Sequence, residues 1–235
     1  VEARRQATGK VLYRGARTGI QVEAGRETGI TVLMTREDGF SLLPGMNSPR
    51  AFGALARLDS GRILVAGGAE SIVSEGNRWK LLPNYSLEIF NPEDGEFERS
   101  GTKPQYPRIF STLTRLSDGT ILIAGGMGEG WLSPALNLEA DSVTGQIEFF
   151  RPDSGLVSDC GALQHPRFLH SADVLADGRV LFAGGYEMNG EKAGTAELFD
   201  PGSGQSEELN MITARAGQRS LLLPGGEVLL WGGNS

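Results

Sequence analysis

The chain has 235 residues, a formal net charge of −7 from 22 Lys+Arg and 29 Asp+Glu, and 34 glycines, about twice the usual share of glycine. The acidic balance disfavours nucleic acid and anionic lipid, because both recruit basic surfaces, and no apolar run of about 18 residues predicts a membrane span. The single cysteine, Cys160, excludes an internal disulfide and a multi-cysteine metal site. The chain starts at Val1 without an apolar signal segment, so it is expected to be processed, trimmed or partial.

The first 29 residues are predicted to form an N-terminal β segment ahead of a series of repeats. Gly9 and Gly15 are six positions apart, the interval that recurs within every later copy of the repeat. If 29–35 and 40–43 are the third and fourth strands of the same unit, this segment is part of an earlier copy. The alternative is the last hairpin of a preceding β-sandwich, and the sequence leaves both interpretations open.

From residue 30 onwards one pattern dominates, and its complete form occurs four times. In each copy an arginine is followed 11 positions later by a turn glycine, and 6 positions after that by two consecutive glycines. The arginines are Arg50, Arg108, Arg167 and Arg215, and the glycine pairs are Gly67 and Gly68, Gly125 and Gly126, Gly184 and Gly185, and Gly232 and Gly233. Three copies continue into a Glu-apolar-Phe segment that starts at Glu88, Glu148 and Glu197. Unvarying spacing over four copies identifies a structural repeat.

Each copy predicts four short antiparallel strands. The first strand follows the arginine (51–58, 109–116, 168–175 and 216–223) and ends at a glycine-containing tight turn. The second is a continuous apolar run, typical of a strand buried on both faces (63–66, 121–124, 180–183 and 228–231). The third contains the glutamate and stops at proline, and the fourth is a weakly apolar edge strand (96–99, 156–160 and 205–209). Such meanders, repeated about every 50 residues, predict an all-β propeller with about four blades, the last of them incomplete.

The arginine, the Asp-Gly turn, the paired glycines and the Glu-Leu-Phe-Asp-Pro segment together resemble the kelch repeat in its bacterial tandem form. This repeat belongs to the superfamily of the galactose oxidase central domain. The resemblance covers 30–235 and implies a kelch-type β-propeller there. The fourth strand departs from it, because the usual tryptophan is replaced by Phe40, Phe97, Leu156 or Val157, and Ser206. The resemblance further implies a secreted or cell-surface bacterial protein.

The resemblance also bears on ring closure. Kelch-like proteins commonly have about six or seven blades, which implies that these residues are part of a larger ring. A four-bladed ring would close instead if strands 30–36 and 40–43 completed the last blade. An array that stays open is expected to self-associate through its end blades, since repeat proteins need neighbours to cover their faces.

The charges that occur once per copy are predicted to be structural. A charge beside an apolar strand is expected to be buried and to need a hydrogen-bonded partner. The planar guanidinium suits a carboxylate or several backbone carbonyls. We therefore predict that the four arginines tie blade to blade, with ligand binding as the alternative. The glutamates and the paired glycines are also predicted to be structural, because the glycines allow a backbone course that a side chain would block.

The sequence predicts no metal site and no cofactor. His165 and His170 are the only histidines, and both belong to the third copy, whereas a metal site needs more ligands at suitable spacing. The other copies carry different residues at the position of His170, which indicates a solvated channel wall; they are Gly53, Ser111 and Gln218. Galactose oxidase has a copper site that resembles a Tyr/His cluster with a Cys–Tyr crosslink. The residues available for such a site do not match it; they are Tyr13, Tyr85, Tyr106, Tyr186 and Cys160.

The loops after the second and fourth strands are predicted to form the binding surface. An antiparallel meander places both sets on one face, and three loops after the second strand are long (69–85, 127–144 and 186–195). Loops of this length are uncommon unless they bind ligands or are disordered. They carry the residue types that dominate interface energetics. The predicted ligand-binding residues are Arg78, Trp79, Tyr85, Tyr106, Trp131, His165, Tyr186 and Asn189.

These features predict a non-catalytic recognition module that binds a protein or a carbohydrate through its long-loop face. The resemblance implies an alternative, part of an enzyme similar to galactose oxidase or to a kelch-type sugar epimerase, with an active site partly outside these residues. A surface scaffold without a defined ligand is the third interpretation. An enzyme requires a convergent cluster of His, Tyr or carboxylate groups at the central opening, whereas a binding module does not.

Overall fold

The computed structural model of the protein describes residues 2–4, 6, 11–14, 35–36 and 44–234. The regular secondary structure of these residues consists of β-strands. The described residues include no helix long and apolar enough to cross a bilayer. Most of the predicted segment 1–29, the predicted strand 40–43, and all of the predicted strand 29–35 except Thr35 lie outside the described residues. Three short strands described there form an antiparallel sheet in the order β1-β2-β3; they are β1 (Glu2–Arg4), β2 (Val11–Arg14) and β3 (Thr35–Arg36).

The remaining strands follow the repeat, with additional strands in two of the long loops. The first copy contains β4 (Ala54–Arg57), β5 (Ile63–Ala66), β6 (Ala69–Glu75), β7 (Arg78–Pro83), β8 (Leu87–Asn91) and β9 (Glu96–Arg99). The second contains β10 (Thr112–Arg115), β11 (Ile121–Ala124), β12 (Gly130–Leu132), β13 (Leu138–Ala140), β14 (Gln146–Arg151) and β15 (Leu156–Ala162). The third contains β16 (Ser171–Val174), β17 (Val180–Ala183), β18 (Thr195–Asp200) and β19 (Gln205–Asn210). The last contains β20 (Arg219–Leu222) and β21 (Val228–Trp231).

Each of the first three copies forms a four-stranded antiparallel sheet, which we call blades 1, 2 and 3. Their strand orders are β4-β5-β8-β9, β10-β11-β14-β15 and β16-β17-β18-β19. The pair β20-β21 is the described part of blade 4. The first strands contact one another in the order β4, β10, β16 and β20. This arrangement confirms the prediction of an all-β, propeller-like fold with four-stranded blades.

Hydrophobic cores join the faces of neighbouring blades. Leu64 of blade 1 packs in one cluster with Ile121 and Phe150 of blade 2. Phe182 and Phe199 of blade 3 pack in a second cluster with residues of blade 2. All five side chains are fully buried, and each such burial stabilises the fold by about 1.5–3 kcal/mol. Strand β11 of blade 2 is therefore buried at every position between the two clusters, as its continuous apolar sequence predicts. In β21 of blade 4, by contrast, Leu229 and Trp231 are exposed.

A buried ion pair fastens the strands within each complete blade. In blade 2, Nη2 and Nε of Arg108 donate to Oε2 of Glu148 at 2.8 and 3.1 Å. Nη1 donates to the carbonyl oxygens of Gly125 and Gln146 at 2.7 and 2.9 Å. The corresponding pairs are Arg50 with Glu88 at 2.7 Å and Arg167 with Glu197 at 2.9 Å. The arginine side chain thus joins three strands of its own blade, whereas we predicted a link from blade to blade.

The backbone of the same arginines makes the link between blades. The second glycine of a pair donates its N–H to the arginine carbonyl of the next blade. These bonds run from Gly68 to Arg108 at 2.8 Å, from Gly126 to Arg167 at 2.9 Å and from Gly185 to Arg215 at 2.9 Å. The neighbouring Gly125 has a φ of 59°, and a Cβ there would lie 2.5 Å from the carbonyl oxygen of Arg167. Close approach of the two blades therefore requires glycine at this position.

The first strands begin three residues later than predicted, because the chain turns sharply before entering them. The residue two positions after each arginine has a positive φ, namely 60° at Phe52, 58° at Phe110, 54° at Leu169 and 69° at Gly217. Backbone hydrogen bonds connect these residues from blade to blade, with N···O distances of 3.2, 3.1 and 2.9 Å in chain order. We call these four residues the collar.

Two of the segments predicted to be long irregular loops form a sheet of their own. We call it the loop sheet; its strand order is β13-β12-β7-β6, and all its pairs are antiparallel. Strands β6 and β7 belong to the first copy and β12 and β13 to the second, so the β7–β12 pairing bridges two blades. This pairing satisfies backbone groups that would otherwise need other partners.

Candidate functional site

The loop sheet packs one face on the blades and exposes the other. On the inner face Leu81 is fully buried and clusters with Ile109 and Met127, which belong to the second copy. Leu138 and Ala140 of β13 pack against the same cluster. These contacts fix the position of the loop sheet. A surface held in this way loses little conformational freedom when it binds a ligand.

The outer face of the loop sheet carries a stack of two cations on one aromatic ring. Trp131 lies directly opposite Lys80 on β7 and Glu139 on β13. The guanidinium of Arg78 is 4.6 Å from the Trp131 ring centroid, and Nζ of Lys80 is 5.6 Å from it. Both distances are within the range of cation–π interactions. The structure therefore brings the predicted binding residues Arg78 and Trp131 together.

Ion pairs hold these two cations in place. Nη1 of Arg78 is 2.9 Å from Oε2 of Glu139, and Nζ of Lys80 is 2.8 Å from Oε2 of Glu129. The hydrogen bond to Glu129 raises the pKa of Lys80. All four charged groups are partly solvent-exposed, so these pairs orient the side chains more than they stabilise the fold.

Trp79 points to the opposite side of the loop sheet from Trp131. It pairs with Leu132 of β12 and Ser74 of β6, one position out of step with Lys80. Its side chain is 38% exposed. Strand β6 is the edge of the sheet, and its Ile72 and Val73 are also exposed. Val73 pairs with Lys80 and adds apolar surface to the charged outer face, whereas Ile72 pairs with Leu81 and lies, like Trp79, on the opposite side.

Tyr85 follows the end of β7 by two residues and lies in a groove of about 670 Å³. Its ring is 42% exposed. The groove is also lined by Glu70, Arg99 and Lys103, together with three serines, a threonine and an asparagine. Charged groups of both signs and several hydroxyls therefore surround the aromatic ring.

Two of the other predicted ligand-binding residues contact structural groups. The ring centroid of Tyr106 is 5.6 Å from the guanidinium of Arg108. The backbone N–H of His165 donates to Oε1 of Glu197 at 2.9 Å, and its ring Nε2 is 2.5 Å from Oε2 of Glu208. These contacts place Tyr106 beside a buried ion pair and His165 beside the outer strand of blade 3, away from the loop sheet strands.

The third long loop is a tight turn. Tyr186 forms isolated bridges to Phe168 and Lys192, and its ring centroid is 5.6 Å from that of Phe168. Asn189 closes the turn, because Oδ1 accepts from the backbone N–H of Glu191 at 2.9 Å and Nδ2 donates to Oε2 of Glu191 at 3.0 Å. Both predicted binding residues thus stabilise this turn.

The first strands of the four blades line an axial cavity of about 670 Å³. His170, predicted to lie on a solvated wall, is only 6% exposed, and its Nε2 lies 3.0 Å from Oγ1 of Thr112 in the preceding blade. Burial, together with the nearby charges of Arg167 and Arg108, lowers the pKa of His170 to about 3. The imidazole is therefore neutral near pH 7. In the part of the chain that the structure describes, no group of three or more His, Cys, Asp or Glu residues could hold a metal ion.

Comparison with known proteins agrees with the fold. No family model matches the chain, and a search of curated proteins finds no match. Among solved structures, the chain is similar to the structure of YjhT, with a TM-score of 0.56 and 14% sequence identity. The match covers 77% of this chain and 57% of that chain. The chain thus spans a little over half the length of YjhT, and at this identity the similarity shows a shared fold alone.

Proposed function

We propose that the protein is a non-catalytic recognition module that binds a protein partner through the outer face of the loop sheet. The observation that carries this proposal is the stack of Arg78 and Lys80 on Trp131, which is presented by a sheet fixed to the blades. Trp and Arg are the residue types most enriched at energetically dominant interface positions. Preorganised side chains also lower the entropy cost of binding.

The composition of this surface fits a protein partner. Its charged groups are of both signs, with Arg78 and Lys80 paired to Glu139 and Glu129. The exposed edge strand β6 adds aliphatic side chains and backbone groups. Protein–protein interfaces usually combine an apolar region with a polar rim. The outer face of the loop sheet combines both kinds of group on a surface without a deep pocket.

Truncation of the stacked residues on the outer face of the loop sheet tests this proposal. We expect Arg78→Ala with Trp131→Ala to abolish capture of the partner from a host lysate, identified by mass spectrometry, because central Trp and Arg side chains each contribute about 2 kcal/mol or more. The matched control is Asp118→Ala with Asp177→Ala, which changes the short turns at the opposite end of the first strands. Thermal melts should show both variants folded. If the turn variant loses the partner and the loop sheet variant retains it, the partner binds the opposite face and the proposal is wrong.

A carbohydrate is the second candidate ligand, and the groove at Tyr85 favours it. An exposed ring can pack on the apolar face of a sugar while hydroxyl, amide and carboxylate groups around it bond the sugar hydroxyls. A glycan array separates the two candidates. We expect Tyr85→Ala to lose a carbohydrate ligand that Trp131→Ala retains, and the reverse result would exclude the groove.

We also propose that the chain belongs with kelch-type propellers and that its N-terminal strands are part of an earlier blade. Strand β2 pairs with both β1 and β3, as the second strands of blades 1, 2 and 3 pair with their first and third strands. Gly9 and Gly15 also flank β2 at the spacing that the repeat requires. Expression of 44–234 alone tests the role of the earlier strands. We expect the shortened chain to melt at lower temperature if they cover blade 1, and an unchanged melt would contradict this.

A further inference from the structure

The collar holds bulky side chains in a backbone conformation that favours glycine. A residue with a Cβ is strained at positive φ, because the Cβ crowds the carbonyl oxygen. Phe52, Phe110 and Leu169 accept this strain, whereas Gly217 adopts the same conformation in blade 4 without it. The backbone course therefore needs no side chain at these positions. The three apolar side chains therefore supply apolar contact surface that glycine would not provide.

These side chains form an apolar wall at the mouth of the axial cavity. All three line the cavity. The rings of Phe52 and Phe110 are 4.7 Å apart between centroids, and Phe52 is 43% exposed. Leu169 continues the wall on blade 3 and is partly buried. Phe110 is also partly buried, so Phe52 supplies the exposed part of the wall. Apolar side chains that line a cavity in a strained conformation are typical of a ligand site.

Blade 4 differs from this wall in two ways. Gly217 leaves a gap in it, and Arg219, two positions further along β20, lines the same cavity. Arg219 is exposed, and the structure shows no hydrogen bond or ion pair from its side chain to any residue of the described ranges. Among the described residues, the cavity lining contains no Asp, Glu or Lys, and the histidine found there, His170, is neutral. Within this part of the chain, the cavity therefore combines an apolar wall with one cation that has no acidic partner.

We infer that the mouth of the axial cavity is a binding site for a small carboxylate that carries an aromatic or branched aliphatic group. The apolar group packs on Phe52, Phe110 and Leu169, and the carboxylate accepts hydrogen bonds from the guanidinium of Arg219. The volume of about 670 Å³ is ample for such a molecule. Phe110 and Leu169 of the wall pack on the same core cluster as the inner face of the loop sheet, but the wall does not include the outer face, so the site does not depend on the proposed protein partner.

The probe is 3-phenylpropionate, titrated by calorimetry and by saturation-transfer NMR. Two analogues divide its chemistry: 3-phenylpropanamide keeps the ring without the charge, and propionate keeps the charge without the ring. We expect 3-phenylpropionate to bind at one saturable site, and each analogue to bind at least about fivefold more weakly, a ratio typical of the loss of one such contact. No saturable binding of 3-phenylpropionate would overturn the proposal.

Variants then locate the site. Phe52→Gly with Leu169→Gly removes two of the three side chains of the wall and relieves backbone strain, as Gly217 illustrates. We expect this variant to lose at least about fivefold in affinity for 3-phenylpropionate. Arg219→Gln should weaken the binding of 3-phenylpropionate by a similar factor and leave the affinity for 3-phenylpropanamide unchanged. The matched control is Arg57→Gln, another exposed arginine on a first strand, outside the cavity lining.

Two results would contradict the assignment even if the probe binds. Equal weakening by Arg57→Gln and Arg219→Gln would indicate general charge attraction. Loss of the probe in Arg78→Ala with Trp131→Ala would place it on the loop sheet. Retention of the probe by that variant, together with loss of the protein partner, would support two separate sites.

Discussion

Removal of the Arg108 side chain should destabilise the protein more than any exposed substitution. Arg108 and Glu148 are each only 1% exposed. Burial lowers the pKa of Arg108, an effect that the neighbouring Glu148 opposes. In Arg108→Ala the carboxylate of Glu148 keeps one hydrogen bond, from the backbone N–H of Gln105 at 2.7 Å, and two carbonyl oxygens lose their donor. Breaking a buried ion pair by removing one partner costs about 3–5 kcal/mol, and we expect a loss in this range.

The repeat supplies a matched control for this measurement. Arg215 occupies the same register in blade 4, but it is half-buried, and within the described residues its guanidinium makes a single hydrogen bond, to the carbonyl of Gly232 at an N···O distance of 3.4 Å. Arg215→Ala should therefore cost less than about 1 kcal/mol, as expected for one weak hydrogen bond. Urea unfolding followed by circular dichroism gives both free energies of unfolding. Equal losses in the two variants would refute the argument that the buried carboxylate causes the difference.

Three further predictions follow from buried groups. Gly125→Ala should destabilise far more than Gly178→Ala in urea unfolding, because a Cβ at Gly125 meets the Arg167 carbonyl at 2.5 Å whereas nothing lies within 4 Å of one at Gly178. The pKa of His170 is about 3 in the folded protein and 6.5 in the free side chain. The unfolded chain therefore binds the proton first, and the free energy of unfolding should fall as the pH drops from 6.5 towards 3. His170→Gln should reduce the change in the free energy of unfolding between about pH 7 and pH 5. Burial raises the pKa of Cys160 to about 11, so its alkylation by iodoacetamide at pH 8 should be at least about tenfold slower than in urea.

The strands of the blades could be predicted because each depends on local spacing that recurs. The turn glycine and the apolar run define the first two strands of a copy, and comparison of copies removes ambiguity in any one of them. The predicted start of the first strand was wrong by three residues. The reason is that Phe52 and Phe110 at positive φ interrupt a run of residues that reads as an extended strand.

The loop sheet could not be predicted from the repeat, because its sequences do not recur between copies. One local signal was present: Gly76 and Asn77 separate Glu75 from Arg78, and such a two-residue turn indicates a hairpin. The pairing of β7 with β12 left no comparable signal, since it joins residues about 50 positions apart. Residue type therefore selected Trp131 and Arg78, but it could not show that Lys80 and Glu139 lie beside them.

The β7–β12 pairing makes the coupling between neighbouring repeats unequal. Blades 1 and 2 share a core and the Gly68–Arg108 hydrogen bond, and the loop sheet adds a continuous ladder between them. Blades 2 and 3 have the equivalent core and hydrogen bond without such a ladder among the described strands. In a linear chain of coupled units, the stronger junction merges its two members into one cooperative domain. Under an applied force, the chain should therefore yield first on the C-terminal side of blade 2, and blades 1 and 2 should extend in a single later event.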